Sequence, residues 1–183
     1  MAEADAFPAA LAATLVQLLP ALATGQLHAP SETFGVHQDG CLLRIPARTY
    51  YQREQLLAGT QLAGDAGAIA LCLGTRHHDG HLREACLKQL LLQERAWTVP
   101  FVVHLCGDYV LEIVERIEAA LPAWNADALA RYLRENCAYL ATLQRRAVSY
   151  WNCYYRRRFP AGEDYPGSRA MAALRALQAL TPR

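Results

Sequence analysis

The sequence has 183 residues, is 53% hydrophobic and carries a formal net charge of +1. That is enough apolar material for one domain with a sizeable core, and the near-neutral balance provides no overall field toward nucleic acid or acidic membranes. Six cysteines without a C-x-x-C pair read as reduced thiols, most of them core-filling, in a cytoplasmic protein rather than as a zinc or disulfide framework.

The first helix is expected over residues 6–24, with Asp5 as cap, Pro8 in its first turn, Leu11, Leu15, Leu18, Leu19 and Leu22 as its apolar stripe, and Gly25 as stop. Pro20 should kink it or end it early. The apolar run 9–22 follows Glu3 and Asp5 instead of a basic region and is short for a bilayer, so neither a signal peptide nor a membrane partner is expected. Near residues 33–45 the period changes. Two short runs flank Gln38-Asp39-Gly40, and an Asp-Gly turn between such runs predicts a β-hairpin, closed by Pro46. Residues 47–58 resume helical character, with Tyr50, Tyr51, Leu56 and Leu57 inward, and a further helix is expected over 66–75 with Asp65 as cap.

From 82 to 91 apolar residues recur at helical spacing through Leu82, Ala85, Cys86, Leu87, Leu90 and Leu91, which leaves Arg83, Glu84 and Lys88 toward water. Asp79 precedes this helix and can accept from the free amides of its first turn. The pattern returns downstream: an apolar run from Val99 to Leu105, a break at Gly107, and Asp108 opening a second amphipathic segment with Val110, Leu111, Ile113, Val114 and Ile117 as its stripe. Two such units suggest two stacked helical hairpins. From Asn125 the sequence then keeps a period near 3.6 through Leu129, Tyr132, Leu133, Cys137, Leu140, Leu143, Ala147, Tyr150, Trp151 and Tyr154, which predicts one long helix or two nearly collinear ones. After a loop containing Pro160, Gly162, Pro166 and Gly167, Ser168 is expected to cap a last helix with Met171, Leu174, Leu177 and Leu180 inward.

The segment DGHLREACLKQL at 79–90 resembles the start of the second helix of a HEAT-type repeat, where an aspartate turn leads to an apolar residue, an arginine and an alanine-rich face. GDYVLEIVERIEAAL at 107–121 is similar in phase but has Glu112 where the arginine would sit. The resemblance covers residues 68–121. It implies an all-α fold of HEAT-like stacked hairpins packed on a long C-terminal helix, as a single domain over residues 1–183, and a role as scaffold.

The densest set of titratable groups is Arg76-His77-His78-Asp79-Gly80-His81. Imidazole and carboxylate are metal ligands, and the doublet His78-Asp79 looks like that of HD-type metal-dependent phosphohydrolases. That family needs a further upstream histidine and a downstream aspartate; His28 or His37 and Asp108 or Asp127 are available, but the upstream histidines fall on or near the hairpin. The competing account is a polar inter-helix turn in which Asp79 caps a helix. His104 reads as a core or groove histidine, and Cys106 points away from it on a helix. A second feature mixes Arg145, Arg146, Arg156, Arg157 and Arg158 with Tyr150, Trp151, Tyr154, Tyr155 and Phe159, a composition that can bind phosphates and stack on bases. No Gly-rich phosphate loop, G-x-S-x-G or H-E-x-x-H spacing occurs.

The resulting expectation is a non-enzymatic interaction module with a protein partner, no catalytic residues, no metal and no cofactor. Its expected contact residues are Arg76, His77, His78 and His81 on one turn and Arg145, Arg156 and Arg157 on the long helix, all exposed. The alternatives are a metal-dependent phosphohydrolase using His77, His78, Asp79 and His81, and nucleic-acid binding through the arginine and aromatic helix.

Overall fold

A computed structural model describes residues 3–29 and 32–180, without the side chain of Leu180, whose expected inward placement therefore lies outside the described residues. Among the described residues the chain is mostly helical with one antiparallel strand pair. Its internal contacts gather into two compact units, Met1–Gln93 and Glu94–Arg183.

In the first unit the hairpin forms as expected. Asp39 and Gly40 take φ of 50° and 76°, the mirror-image turn that matches the twist of the strands it joins, β1 (Thr33–Gln38) and β2 (Cys41–Pro46). The register pairs Val36 with Leu43 and Phe34 with Ile45, and the apolar face carrying Val36, Leu43 and Ile45 is buried. From Glu3 to Leu11 the chain is not α-helical. Short 3₁₀ turns at Ala4–Ala6 and Ala9–Leu11 lead into α1 (Ala12–Ala23), and β2 packs on the first of these turns. Pro20 lies inside α1 without ending it: the residue is on the exposed side, where the carbonyl its ring leaves without an amide partner can be hydrated.

The helix expected from residue 47 begins only at Arg53. Residues 47–52 are not helical: Ala47 is a bend, Gln52 is extended, and Thr49 forms a parallel bridge with His77, a tertiary pairing that overrides local helical preference. Helix α2 (Arg53–Thr60), α3 (Gly64–Gly74) and α4 (Gly80–Leu90) follow, with α3 packed on both α2 and α4. Asp79 caps α4 by accepting from the His81 amide at 2.9 Å, as its position predicts. The inward face of α4 holds Leu82, Cys86, Leu87 and Leu90, but also Arg83, which the sequence pattern puts outside; Ala85 is exposed instead.

The second unit opens with a short buried helix, α5 (Val99–His104), then a 3₁₀ turn to Gly107 and α6 (Leu111–Ala120). Asp108 repeats the device of Asp79, accepting from the amide two residues on, Val110, at 3.0 Å. The long helix expected from residue 126 is divided at Asn136 into α7 (Ala126–Glu135) and α8 (Cys137–Tyr150), which continues as a π-helical turn, Trp151–Tyr155. Asn136 is buried and its side-chain amide donates to Tyr132 O at 2.8 Å, competing for a carbonyl that a continuous helix would use. Asn125 precedes α7 in the left-handed region at φ 47° and makes no side-chain cap. The last helix, α9 (Pro166–Leu180), starts two residues before Ser168, with proline at its first position, and packs against α6, α7 and α8. Arg169 ties α9 to α6 through a two-pronged ion pair with Glu118.

Gly74 at the end of α3 lies against Cys86 of α4. A Cβ added there would stand 2.3 Å from Cys86 Sγ. Gly74→Ala should therefore lower unfolding free energy by about 1–3 kcal/mol despite alanine's better helix propensity. In a denaturant titration, Gly74→Ala combined with Cys86→Ala should cost less than the sum of the single changes; strict additivity would mean that the two helices do not meet at this point.

Candidate functional site

In the first unit, the turn between α3 and α4 is joined to the stretch 47–52 by a dense set of hydrogen bonds. The Thr49 amide donates to Arg76 O at 2.9 Å, the His78 amide donates to Thr49 O at 3.1 Å, and the Thr49 hydroxyl donates to Leu73 O at 3.1 Å. His77 closes the set: its Nε2 lies 2.9 Å from Tyr51 O, and its Nδ1 accepts from the Asp79 amide at 3.1 Å. A carbonyl can only accept and an amide can only donate, so these partners select the neutral imidazole with its proton on Nε2. Burial holds His77 below the ordinary histidine range, against the opposing pull of the Tyr51 carbonyl bond.

Two guanidinium groups complete this arrangement from inside. Arg83 donates through Nη1 to His77 O and His78 O, each at 3.0 Å, and Arg76 donates through Nη2 to Ala47 O at 3.0 Å. Arg76 and Arg83 are both 0% exposed and His77 is 3% exposed. The surface position expected for Arg76 and His77 is therefore corrected. The turn's carbonyls need donors once they are removed from water, and these side chains supply them.

Only His78 and His81 of the expected group face solvent. His78 stacks on Tyr50 with ring centroids 5.3 Å apart, and Tyr50 meets His28 edge-on at 5.6 Å. Beside them an open cavity of about 450 Å³ is lined by Tyr51, Arg53, His77, His78 and Asp79, and Arg53 reaches Asp79 at 3.4 Å across it. Burial opposes the charge on Asp79, but hydrogen bonds from the His81 and Leu82 amides and the nearby His81 and His77 rings hold its carboxyl below the ordinary value. Both nitrogens of His77 are occupied, and among the described residues no three His, Cys, Asp or Glu side chains are grouped to hold a metal ion. Tyr50, the Tyr51 carbonyl and Arg83 are the members of this site that sequence reasoning missed. The signal was the pair Tyr50-Tyr51 directly after a proline-closed hairpin, where aromatic residues favour extended backbone.

In the second unit, His104 is buried and its Nδ1 is hydrogen-bonded to the Tyr139 hydroxyl, the satisfied core histidine that its apolar setting predicts. The Cys106 thiol is buried and pushed up to about 12 by desolvation, which leaves no thiolate for nucleophilic chemistry near neutral pH.

The end of α8 has a different character. Tyr154, expected in the core stripe, is 66% exposed, and Arg145, Arg156 and Arg157 are exposed as expected. The rings of Tyr109, Tyr150, Tyr154 and Tyr155 follow one another at centroid distances of 6.0, 6.2 and 6.3 Å. The segment is held in shape by Trp151 Nε1 donating to Phe159 O at 2.8 Å and by the Tyr155 hydroxyl donating to Tyr109 O at 2.6 Å. Arg156 lies over the Trp151 ring at 5.6 Å and Arg158 pairs with Glu115 at 3.6 Å.

No protein-family model, curated protein or solved structure matches this chain.

The hydrogen bonds of His77 generate two measurable outcomes. His77→Ala leaves a buried carbonyl and a partly buried amide without partners, so it should cost about 2–4 kcal/mol in chemical unfolding. The folded-state pKa is lowered, so below about pH 6.5 the unfolded chain binds the proton first. Stability is then full above that pH and is lost as pH falls through the lower folded value. Unfolding midpoints taken between pH 7.5 and 5 should fall in the wild type and change less in His77→Gln, whose amide can still donate to Tyr51 O.

Proposed function

We propose that this chain is a non-enzymatic protein-interaction module of the helical-repeat type, and that its principal contact surface is the end of α8. The single observation that carries this reading is the exposure of Tyr154 beside a row of tyrosines and arginines on a segment braced by side-chain hydrogen bonds. Tyrosine, tryptophan and arginine dominate the energetics of protein interfaces, because each offers a large contact area together with a polar or charged group. A surface whose rings are already fixed loses little entropy on binding.

The histidine turn supports the same reading from the opposite direction. Both ring nitrogens of His77 and the Nη1 of Arg83 are engaged inside the fold, which leaves no general base with a free nitrogen at the buried centre of the turn. The phosphohydrolase alternative needs converging ligands, and no such group occurs among the described residues. The packing of α3 on α4 across an aspartate-capped turn is what a HEAT-like hairpin requires, and it supports the repeat reading for residues 64–90. Nucleic-acid binding has one observation in its favour, the basic side chains of α8, and is the second reading.

Chemical cross-linking in native lysate, followed by purification of the protein, tests the proposal. Tyr154→Ala combined with Arg157→Glu should abolish the cross-linked partner bands while the melting temperature stays within about 1–2 °C of wild type, since both side chains are exposed. Unchanged bands would place the contact surface elsewhere.

A further inference from the structure

Resting on the reading of the α8 end as a contact surface, we infer that its partner is an acidic protein segment carrying aromatic or other apolar side chains. Some of the charges at this surface are already balanced. Arg158 is paired with Glu115, and Arg169 is paired with Glu118. Arg145, Arg146, Arg156 and Arg157 have no carboxylate partner among the described residues: Arg145 donates to the Thr142 hydroxyl at 2.9 Å and Arg156 to Asn152 Oδ1 at 3.2 Å. Three of these guanidinium groups, those of Arg145, Arg156 and Arg157, belong to exposed residues, and Arg146 is half-buried.

The same segment carries exposed apolar area. Tyr154 and Tyr109 are 66% and 42% exposed, and Trp151 supports Arg156 from below. Planar guanidinium forks match carboxylates in two-pronged geometry, and exposed phenol rings give apolar side chains a surface to cover. The complementary ligand therefore carries carboxylates and an apolar side chain at short spacing.

The same observations disfavour a phosphate backbone. The basic patch is bounded: Glu115 and Glu118 lie on α6, and Asp108 and Glu112 act electrostatically on Tyr155 at its edge. A nucleic-acid strand presents a continuous row of phosphates and needs a basic track to follow, whereas a short acidic segment needs only a few cations. The whole-chain charge of +1 points the same way.

The test uses the full chain and three probes: a glutamate-rich peptide containing phenylalanine, the same peptide with glutamine for every glutamate, and a single-stranded oligonucleotide of the same net charge as the first. Binding is followed by calorimetry, and a change in tryptophan emission that disappears in Trp151→Phe locates it at the α8 end. The inference expects the acidic peptide to bind, with affinity falling as salt rises, and the glutamine peptide and the oligonucleotide to bind at least about tenfold more weakly. Arg156→Glu combined with Arg157→Glu should weaken the acidic peptide by about tenfold or more, and Tyr154→Ala should weaken both peptides. Equal affinity for the glutamine peptide overturns the acidic assignment and leaves the contact surface standing. Tighter binding of the oligonucleotide overturns it in favour of nucleic acid. Absence of binding by either peptide, with lysate cross-links still lost in the Tyr154 and Arg157 double variant, also overturns it without touching the broader proposal.

Discussion

The first unit depends on one requirement: the backbone of residues 47–52 and that of the α3–α4 turn meet, and the backbone amides and carbonyls buried there need partners. Thr49 pairs with the turn through two backbone bonds, but one parallel bridge leaves Tyr51 O and the Asp79 amide facing inward without a strand partner. His77 satisfies both with a single ring, because a neutral imidazole is one donor and one acceptor at a fixed separation. Arg83 then supplies the donors for the next two carbonyls. The bridge at Thr49 and the burial of Arg83 follow from this one accounting of donors and acceptors. Arg76, in contrast, serves Ala47 O with one nitrogen and buries its Nε and Nη1 without a hydrogen-bond partner.

That requirement also explains which parts were legible in the sequence. Asp39-Gly40 and Asp79 were readable because their roles are local: a left-handed pair closing two strands, and a carboxylate meeting amides two and three residues ahead. The amphipathic stripes of α4 and α6 were readable from spacing for the same reason. Arg83 and Arg76 were not. A charged side chain at an outward or turn position ordinarily goes to water, and only the carbonyls of residues distant in sequence or across a turn draw these two inward. The helix expected from residue 47 failed on the same ground, since the residue that Thr49 bridges lies almost thirty positions downstream at His77.

In the second unit two helices were one of the two forms that the spacing allowed, but the place of the break was not legible. Residues 126–159 keep an unbroken apolar period, so nothing in the spacing announces the break at Asn136, where a side-chain amide replaces a backbone one at the Tyr132 carbonyl. Competition of this kind depends on a single rotamer and leaves no trace in hydrophobic periodicity. His104 was legible because its neighbours are all apolar and only a core position accommodates them; its partner, Tyr139, was not.

The exposure of Tyr154 shows how a local change of winding creates a surface. A stripe drawn at 3.6 residues per turn carries Tyr150, Trp151 and Tyr154 inward together. From Trp151 to Tyr155 the helix instead closes i to i+5, which rotates each later residue away from the stripe it would have continued. Tyr154 then leaves the core and stacks at the surface beside Tyr150, while Trp151 turns its indole N–H back to Phe159 O. The exposed position of Tyr154 thus goes with the π-turn, which the composition of the segment alone does not reveal.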